Sequence, residues 1–257
     1  MHSSRGGDYG GSNPPFRPNN KGNKMKHIGF YGHSAACWAN FPIYDQTSFI
    51  DMIVDRTGYK LVNKGAPQGS QERILFELKK TKKLDIAVIF HSLPKFVFLP
   101  TADRDVDIND IDQRKCTYMW KEKQERNELE SMRDDYFNYG GIKEAFGDIE
   151  NFITTFASYR EYLHHPDLQM NRFYGALVQI DQYLTHMKIP AVHVYGTKHI
   201  PTWFKFSSGV TRPDIDKLCN THFKIGYPNN ISSAGQTEIA EALLENLQAL
   251  DEDYSIW

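Results

Sequence analysis

The stretch His27-Ile28-Gly29-Phe30-Tyr31-Gly32-His33-Ser34 decides how the rest of the chain is read. Ile28 to Tyr31 is a short apolar run suited to a buried strand, and it leads straight into the Gly32-His33-Ser34 turn. Upstream, residues 1–24 (MHSSRGGDYGGSNPPFRPNNKGNK) are rich in Gly, Ser, Asn and Pro and too poor in apolar groups to order themselves, so residues 1–25 are expected to be a flexible arm. Downstream, short apolar runs alternate with amphipathic helices. A helix is expected over Thr47 to Arg56, where Phe49, Ile50, Ile53 and Val54 share a face and Gly58 stands at the stop. Tyr59 to Val62 makes a second strand. Ser70 can cap a helix carrying Ile74, Leu75 and Leu78, with Lys79, Lys80, Lys82 and Lys83 near its carboxyl end, where the dipole favours cations. Asp85 to Phe90 and Ala191 to Tyr195 are further strands. Ser233 opens the closing helix through a Ser-x-x-Gln box to Gln236, with Ile239, Ala240, Leu243, Leu244 and Leu247 as its buried stripe. This alternation predicts one α/β domain with a parallel sheet over residues 26–257.

Residues 100–188 interrupt the alternation. An acidic loop (TADRDVDINDID) precedes a stretch holding Trp120, Tyr136, Phe152, Phe156, Tyr159, Phe173, Leu177, Ile180 and Leu184 at helical spacing, which is expected to be a helical insertion or cap. Its aromatics are read as packing groups rather than as a substrate wall.

In open parallel sheets chemistry gathers at the carboxyl ends of the strands. The segments to inspect are therefore Gly32-His33-Ser34, Asn63-Lys64-Gly65, His91-Ser92, Gly196 to His199, and the residues before the last helix. Their order resembles the SGNH, or GDSL, hydrolase family. IGFYGHSAACW resembles the first block of that family, VNKGAPQGS the second, DIAVIFHSLP the third, and NNISSAGQTEIAEAL the stretch entering the last helix. The resemblance implies a three-layer α/β/α, flavodoxin-like fold and hydrolysis of an ester or acyl substrate by serine acyl transfer, with no cofactor. It implies Ser34 as nucleophile and Gly65, with the Ser34 N–H, as oxyanion donor. Ser92 and Asn230 occupy further oxyanion or substrate-binding positions. The chain departs from the family where His91-Ser92 stands in place of an asparagine, and where Tyr227 and Asn230 stand in place of the aspartate and histidine of the last block. An asparagine amide does not take up a proton near neutral pH, so another base is needed. His91 is the physical candidate, because it ends the third strand on the edge that carries Ser34. His33, His193, His199 and His222 are read as histidines satisfied by hydrogen bonds or water.

The alternative is a catalytically silent member that binds or assembles through its arm and insertion, as a viral structural component would; some phage-encoded sequences are similar in plan. The expected location is the cytoplasm, or a virus particle in that second case.

Other features exclude more than they suggest. Asp103, Asp105, Asp107, Asp110 and Asp112 alternate like a calcium loop, but Ile108 and Arg114 occupy its glycine and bidentate-glutamate positions. His164-His165 lacks further ligands, so no metal is expected, and Gly29-x-x-Gly32 is not a dinucleotide fingerprint. Among the 257 residues, 30 Lys+Arg against 32 Asp+Glu give a net charge of -2, no global reason to bind nucleic acid. The apolar runs fall far short of the roughly 20 residues a membrane helix needs, and no signal core is visible. Cys37, Cys116 and Cys219 are odd in number and widely spaced, which fits a reducing compartment.

Overall fold

A computed structural model describes residues 25–32, 36, 47–65, 69–94, 96–99, 104–107, 154–155, 158, 165–195, 200–201, 203–221 and 231–254. The central sheet is built from β1 (His27–Gly32), β2 (Lys60–Gly65), β3 (Ile86–Phe90), β6 (Ala191–Val194) and β7 (Gly209–Thr211), in the order β2-β1-β3-β6-β7. Every pairing in it is parallel. Parallel neighbours require crossovers, and helices supply them on both faces.

Alternation along the strands divides the core. Ile28, Phe30, Val88, Phe90, Val192 and Val194 face α1 (Phe49–Thr57) and the final helix α5 (Ser233–Tyr254). Tyr31, Ala87, Ile89 and Ala191 face α2 (Gln71–Lys80) and α3 (Pro166–His186). Such full burial contributes about 1.5–3 kcal/mol for each large apolar side chain. The architecture is therefore three-layer α/β/α with a flavodoxin-like strand order, as the sequence predicts.

Local chemistry explains the helix limits. Ser48 caps α1: its hydroxyl accepts from the Asp51 N–H at 3.1 Å, and the Asp51 carboxylate accepts from the Ser48 N–H at 3.3 Å. Gly58, at φ 67°, ends it in the left-handed conformation open to glycine. Ser70 caps α2 through the Arg73 N–H. The closing helix differs from expectation. Ser232, not Ser233, takes the Gly235 N–H on its hydroxyl, at 3.2 Å. The Gln236 side-chain oxygen Oε1 instead accepts from the Phe49 N–H at 2.8 Å, so α5 satisfies an otherwise orphaned donor of α1.

The stretch expected as an insertion also divides differently. The apolar run Phe96–Leu99 and Arg104–Asp107 pair antiparallel as β4 and β5, so that β5 is a strand within what reads as an acidic loop. Pro166–His186 is a layer helix, because Ile180 and Leu184 pack with Ile74, Leu78 and Ile89. His165 and Pro166 open that helix, with the His165 ring accepting from the Asp167 N–H at 3.3 Å. β7 and α4 (Pro213–Thr221) complete the described elements; α4 buries Ile215 and Cys219 in the same core as α5. Residues 1–24 of the arm, residues 108–153, His164 and Cys37 lie outside the described residues.

Candidate functional site

The strand order reverses direction between β1 and β3, and the crevice outside their carboxyl ends is where open α/β sheets bind ligands. In register, Gly32 lies opposite Gly65 of β2 on one side and Phe90 of β3 on the other. Gly32 has φ 136°, and a Cβ there would stand 2.1 Å from the Phe90 carbonyl oxygen. Only glycine lets β1 end this close to its neighbour. Ser34, His33, Asn230, Tyr227, His199 and His222 lie outside the described residues, so the described part of the edge consists of Gly32, Gly65, His91, Ser92 and Tyr195.

His91 follows β3 directly and is 4% exposed. Its backbone N–H donates to the Val194 carbonyl at 2.8 Å, which extends the β3–β6 pairing to the rim. Its ring is held on two sides. Nδ1 lies 2.5 Å from the Gln71 Nε2, and Nε2 lies 2.9 Å from the His193 Nδ1. Gln71 is fixed in turn, because its Oε1 accepts the Ser92 N–H at 3.0 Å. Beyond His193 the polar path continues: its Nε2 lies 2.9 Å from the Ser208 Oγ, which donates to the Asp181 Oδ1 at 2.6 Å. Phe206 stacks on His193 with centroids 3.7 Å apart and on His91 at 4.9 Å, so the two imidazoles sit in an aromatic wall closed by Tyr195.

These surroundings set the electrostatics. Burial pushes the His193 pKa down from 6.5 to about 3, because an imidazolium there would lose its hydration. Burial pushes the Cys219 thiol up to about 12, which leaves it a small apolar group. Gly65 donates its N–H to the Asn63 side-chain oxygen at 3.0 Å, so an oxyanion there would have to displace Asn63. Ser92 differs: its hydroxyl is buried and has no hydrogen-bond partner among the described residues. A buried hydroxyl left so carries a desolvation penalty of about 1–3 kcal/mol and suits a place where a ligand supplies the missing bond. Among the described residues there is no cluster of His, Cys, Asp and Glu that could hold a metal ion, and no helix is long and apolar enough to cross a membrane.

The structure thus brings His91 and Ser92 together at the rim beside Gly32, with Gly65 one strand further out. Three members of the polar path escape sequence reasoning. Asp181 carries a readable signal, a carboxylate beside Leu177, Ile180 and Leu184 on the buried stripe of α3. Gln71 stands in the first turn of an amphipathic helix and Ser208 in a Phe-Ser-Ser-Gly segment, where neither stands out.

No protein-family model matches the chain, and the curated proteins give no match. Among solved structures, the chain is similar to a protein described as lipolytic and of the G-D-S-L family from Desulfitobacterium hafniense DCB-2. The identity is 9% and the TM-score 0.42, covering 86% of this chain and 98% of that one. It is also similar to a mutant of the esterase AlinE4, at 11% identity and a TM-score of 0.37, covering 88% of this chain and 97% of that one. Likenesses this loose carry no argument about chemistry, and the architecture rests on the sheet order and layers themselves.

Proposed function

We propose that the chain is a divergent serine hydrolase of SGNH type that cleaves an ester or acyl substrate, with Ser34 as nucleophile and His91 as base. The observation that carries this reading is the position of His91: a buried imidazole at the carboxyl end of β3, next to β1, the strand whose last residue, Gly32, stands two positions before Ser34. In this reading the Ser34 Oγ attacks the substrate carbonyl carbon while His91 takes the hydroxyl proton. The oxyanion is met by backbone N–H groups of Ser34 and Gly65, with the Ser92 hydroxyl as a further donor and the Asn230 amide as a substrate contact. The tetrahedral intermediate expels the alcohol, which leaves with the proton from His91, and water then releases the acid by the same steps in reverse.

A second reading is favoured by a specific observation. The His91 Nδ1 meets Gln71 and the Gly65 N–H meets Asn63, so both groups have partners inside the chain. A silent member of the same fold, engaged in binding or assembly through its arm, would keep such contacts unbroken. Hydrolysis of short acyl p-nitrophenyl esters separates the two. The hydrolase reading predicts turnover that Ser34→Ala and His91→Ala each reduce by a factor of order 100 or more. Equal rates in all three proteins would return the chain to the silent reading.

A further inference from the structure

The geometry points to a relay, Asp181–Ser208–His193–His91, that fixes which ring nitrogen of His91 is basic. The inference deepens the hydrolase reading, in which His91 is the base and the Gln71 amide gives up its place at Nδ1 to the Ser34 hydroxyl, and it rests on hydrogen-bond donors whose direction admits no choice.

At one end, backbone N–H groups can only donate. The Asp181 carboxylate accepts the Ser207 N–H on both oxygens at 3.0 Å and the Ser208 N–H on Oδ1 at 2.9 Å, so it acts purely as an acceptor. The short 2.6 Å contact from the Ser208 Oγ to the same oxygen therefore carries the hydroxyl proton of Ser208. With its proton directed at Asp181, the Ser208 oxygen accepts from the His193 Nε2–H at 2.9 Å. A neutral His193 then has its lone pair at Nδ1, and the facing His91 Nε2, 2.9 Å away, must carry a proton. His91 is left with its lone pair at Nδ1.

The other end gives the same answer independently. The Ser92 N–H donates at 3.0 Å, so the Gln71 atom facing it is the carbonyl oxygen and the atom facing the His91 Nδ1 is the amide NH2. That NH2 donates, so Nδ1 accepts. Reversing the path at any link sets two donors against each other at Gln71 or leaves the 2.6 Å contact without a proton. Both ends thus assign His91 the Nε2–H tautomer, with a basic Nδ1 on the side of Gln71. Asp181, Ser208 and His193 are positioning residues in this arrangement, arriving from α3, the segment before β7, and β6. Phe206, stacked on both rings, excludes the water that would scramble the tautomers.

The test is two-bond 15N–1H correlation spectroscopy on the full chain labelled with 15N-histidine, which reports the protonated nitrogen of each ring without substrate. The expected result is Nε2–H on both His91 and His193, with slowly exchanging ring protons. Ser208→Ala combined with Gln71→Leu removes the constraint at both ends and is expected to convert His91 to a mixture of tautomers, whereas Ser208→Ala alone, with Gln71 still donating to Nδ1, retains Nε2–H on His91. Nδ1–H on His91 in the unaltered chain would overturn the relay even if a variant failed to fold. An unchanged His91 spectrum in a folded Ser208→Ala/Gln71→Leu protein would overturn it equally. In ester hydrolysis, Ser208→Ala is expected to lower kcat on the order of tenfold with KM unchanged. Because the spectrum needs no turnover, its failure is distinguishable from loss of the hydrolase reading, which is decided at Ser34.

Discussion

An imidazole with no exposed surface, such as that of His193, binds a proton far more weakly in the folded protein than in the unfolded chain. Between pH 6.5 and about 3 the unfolded chain therefore holds the extra proton, and folding stability falls as the pH falls through that window. Above pH 6.5 the penalty is absent. At pH 5 it amounts to roughly 2 kcal/mol, from 1.36 kcal/mol per pKa unit. Urea unfolding at a series of pH values should show this loss in the unaltered chain and a shallower slope in His193→Gln; parallel slopes would contradict it. At the same scale, Gly32→Ala forces a Cβ to within 2.1 Å of the Phe90 carbonyl and a left-handed φ on alanine, so a loss of at least 1–3 kcal/mol is expected from thermal or urea unfolding. Residues such as these were unequally legible. Gly32 announces itself by standing between an apolar strand and a polar turn, and His91 by ending the next strand. The polar path through His91 draws on positions 71, 181, 193 and 208, and no local pattern links residues so far apart.

Element boundaries follow local chemistry wherever a cap is present. Ser48 with Asp51, Gly58 and Ser70 act as their types predict, so α1 and α2 read directly from the sequence. The closing helix shows where local chemistry is overruled. Gln236 has the right spacing for a capping box, yet its side chain caps α1 instead, because buried donors must be satisfied and the Phe49 N–H lies within reach. Gln236→Ala should therefore destabilise the protein by about 1 kcal/mol, and hydrogen exchange should open at the amino end of α1 rather than of α5. Exchange that opens only in α5 would contradict the assignment. β7 is three residues long and carries no alternation, β4 is a four-residue apolar run and β5 mixes charged with apolar residues, so periodicity alone does not reveal them.

Among the described residues the five-stranded sheet is buried on both faces, and the alternation of apolar runs with amphipathic helices is enough to read that plan. Its crossover helix α3 is harder to read, because the long chain between β3 and β6 gives the appearance of an insertion. Removing residues 1–24 is expected to leave thermal stability unchanged, since a segment so poor in apolar groups has little to bury, and size-exclusion chromatography then reports whether the arm joins copies together. At the rim where β1 meets β3, a fluorophosphonate probe applied to the intact chain, with the labelled residue located by mass spectrometry, reads whether Ser34 is an activated nucleophile. The expected result is label on Ser34, lost in Ser34→Ala and much reduced in His91→Ala. Label on another serine, or equal labelling of Ser34 with and without His91, would contradict it.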